Sequence, residues 1–323
     1  MSIFCDVHTN NYNIASYFKI IDNCFKKCSF IFRMNHTQTT LATTLSYIPA
    51  NEPQIEICFG GVSPFGPLNG LTTCYGIYIP ANKIDPSVGI IIDNGTGIHN
   101  VMKFMDKRKP ERMVLLQTHL HVDHIIGVLF NKYLFGMLEN TTCLITEYAL
   151  AEMNRLVSPP LHPIAMRFVG PSNLPSFQKY GVKITDYELP HGSDVSTGFR
   201  IEALGKVIVV ATDCELRTPE DQRKFAQWSK DAGMLVLDMK YASEETYRVG
   251  HGHNHPGLIH KTLGHWSNAS NVDAKTHLAL VHRDGPSVPH DFIKSVLTPG
   301  MRIASHNAVS RVSMPDDGDI ISF

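Results

Sequence analysis

The chain has 323 residues, a hydrophobic fraction of 43% and a formal net charge of -1. Its length and apolar content allow a sizeable buried core, and its balanced charge offers no broad basic surface for clamping long nucleic acid, so a small-molecule substrate is favoured over a polymer. No apolar run approaches the roughly 18 residues of a membrane span, Met1-Ser2-Ile3-Phe4-Cys5-Asp6 lacks the basic start of a secretory signal, and seven scattered cysteines form no disulfide framework, so the cytoplasm is the expected compartment.

Residues 1 to about 50 carry Asn and Thr clusters and a Phe- and Cys-bearing stretch near 18–32 without sustained periodicity, and they read as an N-terminal extension of unassigned role. Cys24 and Cys28 lie one helical turn apart, half of a metal site by spacing, but no second pair follows, so they are packing or surface thiols. From Ile55 the texture changes to short apolar runs separated by Gly, Pro and Asn, alternating with amphipathic stretches of helix length. That is the pattern of an α/β protein, with residues 51–323 as one catalytic domain.

The first clear strand is Gly89-Ile90-Ile91-Ile92, followed by a helix over about 97–108. Met113-Val114-Leu115-Leu116-Gln117 is next, then a helix over 124–137, a strand Thr142-Cys143-Leu144-Ile145 and a helix over 147–157. The strand over 206–211 leads to a helix over 219–231, where Thr218 caps, Pro219 suits the first position, and Glu220 and Asp221 oppose the dipole. A strand over 234–237, a helix starting at Pro256 and running to about 267, and a strand over 278–281 complete the set. Such continuous apolar runs belong to strands covered on both faces. Acidic and histidine residues gather where the runs end, at Asp93, His119, Asp213, Asp238 and His282. Strand ends are where sheet-based α/β folds bind ligands, so one sheet edge is expected to carry one site.

The densest cluster is Thr118-His119-Leu120-His121-Val122-Asp123-His124. His119, His121 and Asp123 alternate along what reads as an extended segment, which sends their side chains to one face, and His124 opens the following helix. Taken singly, each has a structural reading, the histidines as hydrogen-bond partners and the aspartate as a helix cap. Four ligand-type residues in six positions after a buried strand exceed what a core requires.

The segment His119-Leu120-His121-Val122-Asp123-His124 resembles the signature of the metallo-β-lactamase superfamily, and the resemblance runs from about Ile55 to about Val296, on the ribonuclease Z and phosphodiesterase-like side. Asp93 in Ile92-Asp93-Asn94-Gly95-Thr96-Gly97 resembles the structural aspartate, His191 in Pro190-His191-Gly192 the third histidine, Asp213 in Ala211-Thr212-Asp213 the bridging carboxylate, and His282 in Val281-His282-Arg283-Asp284 the last histidine. The resemblance implies an αβ/βα four-layer sandwich of two mixed sheets flanked by helices. It implies one metal held by His119, His121 and His191, a second held by Asp123, His124 and His282, and Asp213 between them. Imidazole and carboxylate suit Zn2+, with Mn2+ or Fe as further choices, and a hydroxide shared by two divalent ions would be the nucleophile. Asp123 is expected to be essential to catalysis. His253 in Gly250-His251-Gly252-His253-Asn254-His255 falls where relatives carry a Gly-His-Ser element that approaches the scissile phosphate, with Asn254 in place of Ser. Its catalytic and structural readings stay open, and His251 and His255 can simply belong to a metal-prone tract.

True zinc β-lactamases place a cysteine ligand where this chain has Asp213, and Cys214, one strand step away, would face the other side. Ribonuclease Z carries a long tRNA-binding arm between the third histidine and the bridging aspartate, whereas only 22 positions separate His191 from Asp213 and a strand-like stretch from Gly198 fills them. Gly60, Gly61, Ser63 and Gly66 form a loop that lies beside the substrate in relatives, although such turns also serve as plain connections. The expectation is a phosphodiesterase acting on a small phosphodiester such as a cyclic nucleotide. A lactonase or thioesterase, an iron oxidoreductase variant and a non-catalytic metal-binding sensor are the alternatives. The expected partners are the small-molecule substrate and at most a second copy of the chain, with neither long nucleic acid nor membrane.

Overall fold

The computed structural model describes residues 53–64, 70–130, 142–144, 168–169, 178–269, 276–283 and 309–323. The N-terminal extension with Cys24 and Cys28, the expected helix over 147–157, the end of the 124–137 helix, Ile145, Gly66 and Asp284 lie outside these residues. The chain runs through β1 (Glu56–Gly61), β2 (Cys74–Ile79), β3 (Val88–Ile92), α1 (Ile98–Arg108), β4 (Arg112–Leu116), α2 (Val122–Phe130), β5 (Thr142–Leu144) and β6 (Phe168–Val169). It continues through β7 (Lys183–His191), β8 (Asp194–Ala203), β9 (Lys206–Ala211), α3 (Pro219–Trp228), β10 (Met234–Asp238), α4 (Pro256–Ala269), β11 (Thr276–Val281), β12 (Val309–Ser313) and β13 (Asp319–Ser322).

Two mixed sheets result, ordered β13-β1-β2-β3-β4-β5-β6 and β12-β11-β10-β9-β8-β7. In the first, β13, β1, β2 and β3 pair antiparallel and β3 to β6 parallel; in the second, β7, β8 and β9 pair antiparallel and β9 to β12 parallel. The apolar runs explain the layering. Along a strand, successive side chains leave opposite faces, so Ile208, Val210, Met234, Val236, Ala279 and Val281 join Ile57, Phe59, Ile77, Ile90, Ile92 and Val114 in one core between the sheets. Their neighbours Val209, Leu235, Leu278 and Leu280 face outward instead, onto Phe225 of α3 and Ile259, Leu263 and Trp266 of α4. On the first sheet, a Cβ at Gly76 would meet Val101, Phe104 and Met105, which places α1 against β2 on the outer face. The expected architecture of two mixed sheets flanked by helices is what the chain adopts. No helix among the described residues is long and apolar enough to cross a membrane.

The six expected strands all form, with bounds shifted by at most two residues. Four of the expected helices start within two residues of their expected positions, and α3 carries the reciprocal cap in which Thr218 accepts from the Asp221 amide and Asp221 accepts from the Thr218 amide. The strands not picked out as apolar runs are β1, β2, β6, β7, β8, β12 and β13. β7 and β8 form a hairpin with His191 opposite Asp194 across the Gly192-Ser193 turn. Their residues alternate between polar and apolar, and that period of two followed by a Gly-Ser turn is the signal that would have found them.

Candidate metal centre

Three strands end on residues whose backbone leaves the sheet in the left-handed region: Asp93 after β3 (φ 62°), Asp213 after β9 (φ 54°) and His282 after β11 (φ 59°). This conformation costs an L-residue about 1 kcal/mol or more, and its recurrence at three polar strand ends marks a place where geometry outranks local comfort. At each end, the turn holds a polar side chain that is buried. The expectation that acidic and histidine residues cluster at strand ends is met geometrically.

The side chains form two neighbouring groups. Ligand-type atoms of His119, His121 and His191 lie within 4.8 Å of one another, and those of Asp123, His124, Asp213 and His282 do likewise. In the second group, His124 Nε2 lies 3.1 Å from Asp213 Oδ2 and 3.5 Å from Asp123 Oδ2, while His282 Nε2 lies 3.2 Å from Asp213 Oδ1. Asp213 also groups with His191 and His253, so it stands between the two sets.

The opposite ring nitrogens are anchored. His124 Nδ1 reaches Asp93 Oδ2 at 2.7 Å, His282 Nδ1 reaches the Thr73 hydroxyl at 3.0 Å, and His191 Nδ1 reaches the Gly252 carbonyl at 2.8 Å. His119 Nδ1 lies 3.0 Å from the Thr118 hydroxyl, which itself donates to Asp93. His121 is reversed, with Nε2 3.6 Å from Asp194 and Nδ1 turned to His191 Nε2 at 3.1 Å. A ring nitrogen that donates outward leaves the other with a lone pair directed into the centre. The buried Nε2 atom of His119 accordingly has no hydrogen-bond partner, and that of His124 faces only the carboxylates of Asp213 and Asp123. Uncompensated buried polar atoms are costly, and a cation is the partner that suits lone pairs of imidazole and carboxylate converging on a common space.

Charge points the same way. Among the described residues, the ion pairs of Asp93, Asp123, Asp213 and Asp238 are all with histidines, none with Lys or Arg. Burial holds His119, His191 and His282 below the usual imidazole range, as neutral ligands require. Burial opposes a charge on His124 as well, but Asp213 and Asp93 outweigh it and raise its pKa well above the ordinary value. Carboxylates that draw a proton so strongly onto an adjacent ring would equally favour a divalent ion in its place.

The local path through 119–124 differs from the extended segment expected. Helix α2 begins at Val122, so Asp123 sits in its first turn and His124 is its third residue. Shared strand facing therefore does not bring His119, His121 and Asp123 together; a helical turn sends Asp123 and His124 to the second group. The α2 start is pressed onto the turn after β3, where Asn94 N donates to His124 O and a Cβ at Gly95 would lie 2.3 Å from Asp123 O. Gln117 binds Asp93 Oδ1 and the carbonyls of His119 and His124. Cys214 faces away from the centre, as expected, but through the turn after Asp213 rather than through strand pleating; it is buried beside Leu216 and Asn254.

His253 is 5% exposed, its Nδ1 2.7 Å from Asp238 Oδ2, with its ring stacked on His282 at 4.9 Å. Burial disfavours its charge, yet Asp238 overrides this and raises its pKa. His251 is exposed, and the His255 ring packs at a tilt against Tyr247, outside both groups. Sequence reasoning marked Asp238 only as a strand end and missed Thr73, Asp194 and Glu215 altogether. Their contacts join residues up to 209 positions apart, which no local pattern displays.

Residues 84–273 match the family model described as "Beta-lactamase superfamily domain". No curated protein matches the sequence. Among solved structures, the metallo-beta-lactamase fold protein YhfI from Bacillus subtilis is 13% identical, with 84% of this chain and 100% of that chain covered and a TM-score of 0.58. Unliganded yeast PDE1 is 12% identical over 83% of this chain and 99% of that chain, TM-score 0.60. The short form of human tRNase Z is 14% identical over 82% of this chain and 98% of that chain, TM-score 0.53. At such identities the likeness is one of fold.

Proposed function

We propose, from the premise that this chain belongs to the beta-lactamase superfamily in its metallo-β-lactamase fold, that it is a metal-dependent hydrolase of a small phosphodiester. The observation that carries the reading is the donor set. Five imidazoles and two carboxylates gather in two adjacent groups, four of the five rings tied on their outer nitrogens and His121 turned toward Asp194.

His119, His121 and His191 would hold one divalent ion, and Asp123, His124 and His282 a second, with Asp213 shared; Zn2+ suits the donors, and Mn2+ or Fe would also fit. When bound, such a pair of ions makes water acidic enough to act as a nucleophile and neutralises charge on the oxygens of the group attacked. The remaining work belongs to the chain. Asp93 holds His124 and, through Thr118, His119 in one tautomer. Asp238 occupies Nδ1 of His253 and favours its protonated form, so Nε2 is the nitrogen left to give a proton to a departing alkoxide.

A small substrate is supported by the interval between His191 and Asp213, which β8, the Leu204-Gly205 turn and β9 occupy without an inserted arm. Yeast PDE1, which shares the fold, bears a phosphodiesterase's name. The test is metal analysis of the purified protein coupled to turnover of a bis-aryl phosphate, a cyclic nucleotide, a lactone and a thioester. The phosphodiesters are expected to turn over, and Asp123→Ala to lower kcat/KM by at least about 100-fold while leaving the circular dichroism spectrum intact. Full activity in Asp123→Ala, or turnover of the lactone or thioester alone, would overturn the assignment.

A further inference from the structure

One buried carboxylate that the proposed chemistry leaves unexplained holds the Gly250-His251-Gly252-His253 stretch from elsewhere in the chain. Glu215, two residues beyond Asp213, is 5% exposed. Its carboxylate is satisfied by one loop. Oε1 accepts from the Tyr247 hydroxyl and from the Gly250 amide at 3.1 Å, and Oε2 accepts from the Gly252 amide at 3.1 Å. Its own amide donates to the Pro190 carbonyl at 2.8 Å. Glu215 thus touches the segment before His191, belongs to the segment after Asp213, and grips the segment before His253. These three segments carry the residues of the third ligand-type group, His191, Asp213 and His253.

The loop can be gripped this way because of its glycines. Gly250 and Gly252 have φ of 78° and 83°, which aims two backbone N–H groups at one anion. A Cβ at Gly252 would lie 2.2 Å from His191 Nδ1, so that loop and ring are in direct contact. The Gly252 carbonyl accepts from His191 Nδ1 at 2.8 Å, and His253 follows at once. A carboxylate receiving three donors is a strong, directional anchor for a glycine-rich loop that would otherwise be free to wander.

We propose that Glu215 is a positioning residue of the centre: by clamping Tyr247, Gly250 and Gly252, it fixes the carbonyl that orients His191 and the loop that delivers His253. It touches neither substrate nor metal. The inference rests on the metal-centre reading above, through His191.

The test uses the full chain stripped of metal and titrated with Zn2+ against a competing chelator. Glu215→Ala, and to a smaller degree Glu215→Gln, are expected to weaken one Zn2+ equivalent by about 10- to 100-fold while the other binds as in the parent, because His124 and His282 take their outer-nitrogen anchors from Asp93 and Thr73 rather than from the loop. With the bis-aryl phosphate at saturating Zn2+, kcat should fall more than KM changes, through misplaced His253. If Glu215→Ala fails to fold, Glu215→Gln and Tyr247→Phe keep the side-chain shapes and give the same reading. Wild-type affinity for both equivalents in the folded variants would overturn the proposal, as would equal weakening of both, which a merely structural residue would produce. A parent chain that binds no Zn2+ would instead sink the metal-centre reading itself.

Discussion

A buried histidine can serve as a ligand, an acid or a pH-dependent strut, and the group on its outer nitrogen decides which. At the centre that group is a carboxylate, a hydroxyl or a carbonyl, and each leaves a lone pair pointing inward. His277 on β11 shows the third case, far from the metal-type groups. It is buried, its Nε2 lies 2.7 Å from the Ser313 hydroxyl, and burial followed by the charge of Arg311 lowers its pKa to about 4. The unfolded chain, with an imidazole near 6.5, binds that proton earlier, so the folded state loses stability as pH falls from about 6.5 toward 4, and the loss levels off below. A loss of about 2 kcal/mol is expected, allowing for screening at the sheet margin. Urea unfolding in chelator across that range should show His277→Gln with a flatter profile than the parent. Parallel profiles would remove His277 as the cause.

Elements reach the centre through their ends, and the loop joining β1 to β2 shows how a distant element takes part. Asp317, just before β13, accepts from the Val62 amide at 3.1 Å and the Leu71 amide at 2.6 Å, closing both ends of that loop. One end then meets the centre through Arg283 N donating to Val62 O, and the other through Thr73 against His282. Asp317→Ala should leave two partly buried amides without a partner, costing about 1–2 kcal/mol in urea unfolding, and should also lower kcat/KM by loosening His282. An unchanged midpoint with unchanged kcat/KM would show that the loop holds itself. The same elements explain what the sequence could reveal. β9, β10 and β11 are covered on both faces and read as unbroken apolar runs, whereas β7 and β8 alternate and are found only by their period and turn.

Among the described residues, the two sheets share one core, and their strand ends and adjoining turns gather four acidic groups and six imidazoles, all buried except His121. A metal that binds only the folded chain would add about 4 kcal/mol of stability when free metal exceeds Kd a thousandfold. A chelator should therefore lower Tm by on the order of 10 °C for a chain of this size. Calorimetry with and without chelator checks this, and an identical Tm would mean that the folded state gains nothing from a metal.

From the residues alone came the α/β class, six strands, four helix starts, the 119–124 cluster and the polar strand ends, because apolar runs, caps and ligand-type side chains are written locally; His191 and the grouping of the seven residues came from the resemblance to the metallo-β-lactamase superfamily. Left to the folded chain were the αL turns at Asp93, Asp213 and His282, the helical placement of Asp123 and the anchors Thr73, Asp194, Asp238 and Glu215. Those depend on where separate strand ends meet, and the distance between two strand ends is a property of the packed sheets, which no stretch of sequence contains.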